Sequence, residues 1–303
     1  MKESMANRRF GIEIEMTGIT RTRAAEIIAE YFGTRAEYAG GYYRKHTAKD
    51  SNGRTWTVMY DGSISCKKRI NGTYIPAGEE YSVELVSPIL TYAEDMGDLQ
   101  EIIRRLRKAG ATTNSSCGIH VHLDGADHTA RSIRNFVNII AARGDLLYKA
   151  LQIEPARARF CRQLSEDLVR RMKNATTMDK IRRAWYAGYR YEDQSYHYHG
   201  SRYHLLNLHS FFNGNHTVEI RGYNSTLHAG KVRAYVVLAL AMNEQALTQK
   251  SASAKKPQTE NEKFAMRTWM NRMGLIGDEF AACREHLCKH LNGCAAWRFG
   301  RAA

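Results

Sequence analysis

Four strand-like segments of this chain repeat one pattern: two polar, chemically capable residues stand two positions apart, framed by aliphatic ones. They are Glu13/Glu15, Ser82/Glu84, His120/His122 and Glu219/Arg221. Strict alternation reads as a strand, and side chains two apart project from one face. The intervening residues include Ile12, Ile14, Met16, Val83, Leu85, Ile119, Val121, Val218 and Ile220. They give the opposite face an apolar surface for helices to cover. An antiparallel sheet with one solvated face is ordinary, but such a face usually mixes in Lys and Thr. Here the polar positions are mainly Glu and His. Carboxylates gathered on one face repel one another unless a cation sits among them. An oxygen-rich set with one or two imidazoles suits Mg2+ or Mn2+ better than zinc. The pattern therefore points to a metal-dependent active site on a sheet.

The rest of the chain fits a mixed fold. Phe10 to Met16 reads as a strand and Thr22 to Phe32 as a helix stopped by Gly33. Residues 38–75 hold Gly-Gly, Asn-Gly and Asp-Gly turns between short Tyr/Thr/Val runs, which is hairpin chemistry. Thr91 to Glu94 reads as a capping box ahead of the Leu99, Ile102, Ile103, Leu106 stripe. Tyr203 to Phe212 and Thr217 to Arg221 read as two strands joined by an Asn-Gly-Asn turn. Strand-to-strand turns outnumber strand–helix–strand crossovers. That predicts an α+β fold with a mostly antiparallel curved sheet and helices packed on one face. Lys250 to Glu262 reads as a linker. We therefore expect a catalytic domain at 1–250, with an insert at 155–200, and a linker and small helical C-terminal tail at 251–303.

Charge narrows the partners. Lys and Arg total 45 against 31 acids, a net charge of +14, so an anionic partner is expected. Residues 156–200 alone carry ten Lys/Arg against five acids, interleaved with Trp185, Tyr186, Tyr189, Tyr191, Tyr196 and Tyr198. Such a segment can border a site for ATP or an acidic acceptor, or form a single-strand nucleic-acid platform. No stretch approaches 18 uninterrupted apolar residues, so no membrane span is expected. The start lacks the apolar core of a signal peptide, and six irregularly spaced cysteines make no disulfide framework. A cytoplasmic protein is expected.

The motifs Gly11-Ile-Glu13-Ile-Glu15, Asp61-Gly-Ser, Glu84-Leu-Val-Ser87-Pro88, Cys117-Gly118-Ile-His120-Val-His122, Tyr203-x-x-x-Asn207 and Val-Glu219-Ile-Arg221 occur in an order that resembles the amidoligase family. These are ATP-dependent carboxylate–amine ligases related to glutamine synthetase and glutamate–cysteine ligase. The resemblance runs from about Arg8 to Leu247. It implies a glutamine-synthetase-like catalytic core, ATP and Mg2+ (or Mn2+) as cofactors, and amide formation through an acyl phosphate. It also implies a small-molecule, peptide or protein carboxylate and an amine as partners. By the same resemblance Glu13, Glu15, Glu84, His120 and Glu219 are metal ligands. His120, Arg221 and Asn207 bind the nucleotide. Arg221, Glu219 and His122 serve the chemistry, with Arg221 at the transferring phosphoryl group. An arginine suits that role because its fork holds two oxygens at once.

The chain departs from glutamine synthetase in lacking a second carboxylate motif after Glu84. Asp61, Glu79 and Glu80 stay open as a third acid, and Asp61 reads equally as a turn residue. His122 reads as a substrate contact or as a hydrogen-bonding sheet residue, and Arg221 can also serve as Glu219's structural partner. Two readings compete with the ligase: a metal-dependent phosphodiesterase or nuclease using the same groups, and a non-catalytic basic nucleic-acid-binding protein. Nucleic acid is the less favoured partner. His197-x-His199 is a weak candidate ligand pair. Cys283, His286, His290 and Cys294 share a helical face, but packing is favoured there over zinc, because a helix rising 1.5 Å per residue cannot bring all four to one ion.

Overall fold

Alternation along Arg9–Met16 does become a strand, with Phe10, Ile12, Ile14 and Met16 at most 2% exposed. The computed structural model describes residues 3–189, 191–257 and 260–297. Arg190 of the basic insert, and 258–259 and 298–303 of the linker and tail, lie outside the described residues. The fold is mixed α/β with antiparallel strand pairs and packed helices. Two compact units interleave along the chain, one of 9–121 with 223–233, the other of 1–8, 122–222 and 234–303.

In the 9–121 unit the strands run in the order Gly118–Asp124, Arg9–Met16, Val83–Val86, Thr55–Met59, Lys45–Lys49, Ala36–Gly40. Helix Arg21–Phe32 packs on the last three. Its N-cap Thr20 accepts the Arg23 amide, and Gly33 closes it at φ 67°, a left-handed conformation that glycine adopts without Cβ strain. Lys67–Ile70 and Thr73–Pro76 form a separate hairpin. Asn71 and Gly72 at its tip have φ 49° and 85°, the conformations that make Asn-Gly a hairpin signal. On helix Tyr92–Lys108, Leu99, Ile102, Ile103 and Leu106 are all fully buried. Its start differs from the capping box expected at Thr91–Glu94. The Thr91 side chain makes no cap bond. Asp95 Oδ2 accepts the Thr91 amide instead, because Asp95 is turned inward by Arg54, 2.6 Å from its other oxygen.

In the other unit, helix Ala130–Leu151 opens on a reciprocal Thr129/Ser132 cap and buries Ile133, Phe136, Val137 and Ile140. Helix Ala229–Thr248 is buried on every side from Val236 to Met242, which explains its nearly continuous apolar run. No helix among the described residues is long and apolar enough to cross a membrane. The expected Tyr203–Phe212 strand is mostly absent. Only Leu206–Asn207 pairs, opposite Ile220 and Glu219 of strand Thr217–Asn224. Asn207 Oδ1 takes the His209 amide at 2.7 Å, and the chain turns into helix His209–Asn213. This Asx-type turn competes with strand extension. The insert forms helices Pro155–Ala158, Glu166–Lys173 and Met178–Tyr186. Trp185 and Tyr186 are 2% and 3% exposed, so they are core rather than a stacking surface, whereas Tyr191, Tyr196 and Tyr198 face solvent.

Candidate functional site

Antiparallel register between Arg9–Met16 and Val83–Val86 sets Glu15 directly opposite Glu84. On the other side of the first strand lies Gly118–Asp124, which brings His120 to the same place. His120 Nδ1 is 2.8 Å from Glu13 Oε2, and its Nε2 is 3.9 Å from Glu15 Oε1. A carboxylate at Nδ1 favours the tautomer protonated there and turns the Nε2 lone pair toward Glu15. Glu15, Glu84 and His120 each offer a ligand atom, all within 4.8 Å of one another. They are 5%, 7% and 6% exposed.

The spacing of these ligand atoms is at most 4.8 Å. It suits ligands that share one divalent ion, since oxygen ligands at roughly 2.0–2.6 Å from the ion stand some 3–5 Å apart. Two buried carboxylates facing each other otherwise drive one another toward protonation. The donor set therefore fits a divalent cation of the oxygen-preferring kind.

The surroundings hold this set still. The Gly118 amide donates to Glu15 Oε2 at 2.6 Å, and Ser225 Oγ donates to the Glu15 carbonyl at 2.5 Å. Buried Arg21 donates to the carbonyls of Glu79 and Ser82 at 2.5 and 2.8 Å, fixing the turn that leads into Glu84. Ser82 Oγ clamps Asp61 through its amide and carbonyl. The Asp61 carboxylate caps the Ser63 amide at 2.6 Å, the geometry of a turn residue. Glu79 pairs with Arg44 at 2.9 Å and both are largely exposed, and Glu80 is exposed. Neither Asp61, Glu79 nor Glu80 joins Glu15, Glu84 and His120 among the described residues.

In the 122–222 unit, the Glu219/Arg221 pair is a buried ion pair. Arg221 Nη1 is 2.5 Å from Glu219 Oε1, and the two residues are 6% and 2% exposed. Asn207 Nδ2 donates to Glu219 Oε2 at 2.6 Å. His122 Nδ1 lies 3.3 Å from Thr217 Oγ1. Tyr203 packs edge-on against Phe160. Helix Ala281–Cys288 ends before His290 and Cys294. Tail residues are absent from the described groups whose ligand atoms converge.

Sequence reasoning missed Arg21, Gly118 and Ser225, whose roles depend on folded neighbours. It also missed a buried histidine pair. His199 and His209 stack with centroids 5.1 Å apart. Asn213 Nδ2 donates to Tyr186 Oη at 2.6 Å, and Tyr186 Oη is 2.7 Å from His209 Nδ1. Burial, then His199, push the His209 pKa from 6.5 down to about 4, with Arg202 and His197 acting the same way. The unfolded chain therefore binds the extra proton between pH 6.5 and 4, and stability rises with pH across that window. The contribution is whole above about pH 6.5 and is lost as pH falls toward 4. Urea midpoints at pH 7 and pH 5 are expected to differ more for the wild type than for His209→Gln; equal differences would show that His209 does not titrate this way.

Comparison with known proteins gives one family match. Residues 6–243 match the family model described as "Putative amidoligase enzyme". No curated protein matches the chain. Among solved structures, the chain is similar to a bifunctional glutathione synthetase from Pasteurella multocida, at TM-score 0.41 and 11% identity, over 94% of this chain and 47% of that one. The chain thus spans about half the length of that protein.

Proposed function

The chain belongs to the amidoligase family, and on that footing we propose that it joins a carboxylate to an amine at the expense of ATP, through an acyl phosphate, on a glutamine-synthetase-like core. The supporting observation is the convergence of Glu15, Glu84 and His120 within 4.8 Å. In this reading the catalytic domain is 1–250, followed by the linker and tail, and the protein works in the cytoplasm on an amino-acid, peptide or protein substrate.

Glu13, Glu15, Glu84, His120 and Glu219 are assigned as ligands for Mg2+ or Mn2+. When bound, such ions neutralise phosphate oxygens and orient the phosphoryl group for in-line transfer. Glu13 also holds the His120 ring in orientation through Nδ1. Arg221 is assigned to the oxygens of the transferring phosphoryl group. Glu219 and the Asn207 amide keep its guanidinium in place, and a preset cation costs no reorganisation when charge develops. Asn207, His120 and Arg221 are assigned to the nucleotide, and His122 to the substrate side.

A substrate carboxylate oxygen attacks the γ-phosphorus and ADP leaves. The amine then attacks the acyl carbon, phosphate leaves with the C–O electrons, and the amine gives up a proton. An ADP-release screen over pools of amino acids, peptides and polyamines tests this. Release is expected only when a carboxylate and an amine are both present. Stabilisation by oligonucleotide but not by ATP with Mg2+ would overturn the reading in favour of a binding protein.

A further inference from the structure

Helices Ala130–Leu151, Ala229–Thr248 and Glu262–Arg272 all contribute residues to a cavity of about 500 Å3. That is within the range of small-molecule pockets. Its lining contains none of the residues assigned to the ligase reaction, so ligand binding in this cavity stands or falls independently of that assignment.

One wall is the stretch 249–255, which the sequence marks as a linker from Lys250 onward and the structure pins down. Asn135 Oδ1 accepts the Ala252 amide at 3.0 Å, and Asn135 Nδ2 donates to the Gln249 carbonyl at 2.7 Å. Asn138 Nδ2 donates to the Ala252 carbonyl at 2.9 Å. Lys256, just beyond, pairs with Asp145 at 2.7 Å. A linker tied at four points to one helix makes a formed wall rather than a loose strap.

Three cations line the cavity: Arg143, Lys255 and Arg272. The acid among the lining residues, Glu244, already accepts from Ser4 Oγ at 2.9 Å and Arg8 Nε at 3.2 Å. Among the described residues no acid pairs with any of the three cations. The Arg143 guanidinium lies 5.4 Å from the Trp269 ring centroid. Trp269 is itself buried, with Nε1 donating to Gln245 Oε1 at 2.9 Å. The ring fixes the guanidinium by its π-face but supplies no counter-charge. Burial, and then the charge of Arg272, hold the Arg143 pKa below the ordinary arginine value. Two guanidinium groups thus share a partly dry cavity at a cost that an anion would offset. Away from the cations, Ile139, Ala142, Ala241 and Met273 give the cavity an aliphatic patch, beside the polar Thr248, Gln249 and Ser253.

We propose that this cavity is a binding site for a small molecule with an oxyanion head, carboxylate or phosphate, on an apolar body, the head held by Arg143 and Arg272. Benzoate and phenyl phosphate share one body and differ in head, and benzyl alcohol has the body without the charge. Thermal melts of the full chain at constant ionic strength should rise with one or both anions and not with the alcohol. The larger response identifies the preferred head; equal responses identify a general oxyanion site. Arg143→Gln and Arg272→Gln should each weaken the response about tenfold or more, the loss of one charge-assisted contact. Arg170→Gln, on the exposed basic helix of the insert, should leave it unchanged. Without ligand, Arg143→Gln should melt at or above the wild type. Should that variant fail to fold, Arg272→Gln, whose side chain is exposed, carries the test. No response to either anion, an equal response to the alcohol, or an undiminished response in the Arg272 variant would overturn the proposal.

Discussion

Glu15→Gln is expected to abolish stabilisation by Mg2+ or Mn2+ and to cut carboxylate- and amine-dependent ADP release by at least about 100-fold. Glutamine has the same shape as glutamate and can still accept the Gly118 amide, so the local backbone support at Glu15 is kept. What disappears is one of the negative charges within 4.8 Å of one another. In the absence of metal this relieves repulsion between Glu15 and Glu84, which face each other in register. The metal-free variant should therefore melt no lower than the metal-free wild type. The opposite dependence is the informative part: a merely structural carboxylate, once neutralised, would change the two melting curves equally with and without metal. Metal stabilisation that survives in Glu15→Gln would remove Glu15 from the ligand set.

Replacing Arg221 should separate folding from chemistry. Arg221→Ala removes the cation beside a buried carboxylate, and breaking such a pair from one side costs about 3–5 kcal/mol. Both partners are under 7% exposed and 2.5 Å apart, so screening by water does little to soften that loss. Arg221→Lys keeps the charge and should recover much of the stability. It should not recover the activity, which we expect to stay about 1000-fold down, because a point ammonium cannot span two phosphoryl oxygens as a guanidinium fork does. Chemical denaturation and ADP release on the same two variants check this. If lysine restores both together, Arg221 serves the fold alone.

The two variants probe features of different legibility. The Glu219/Arg221 pair stands two positions apart on one strand, and period-2 geometry alone puts both side chains on one face. The same holds for the alternation at Arg9–Met16 and for the Asn-Gly hairpin at 71–72, where local chemistry leaves few choices. Glu13 and Glu15 were equivalent in the sequence. The fold distinguishes them: Glu13 receives the His120 ring nitrogen 107 positions away, and Glu15 receives the Gly118 amide 103 positions away. The cap at Thr91 shows the reverse failure, a local motif overridden by a neighbour. Arg54 draws Asp95 inward, and Asp95 rather than Glu94 closes the helix start.

By itself, then, the sequence determined that this chain forms a sheet with one apolar and one carboxylate-and-imidazole face, and its motif order placed it with the amidoligases. Alternation carries that information because it is set by bond geometry within a single strand. Tertiary structure alone decided which acids meet the imidazole, that Trp185 and Tyr186 are core, and that a linker closes a cavity around Arg143. Those outcomes depend on strand register and on helices packed from distant parts of the chain. A period of two names a face but not the neighbour that will stand beside it.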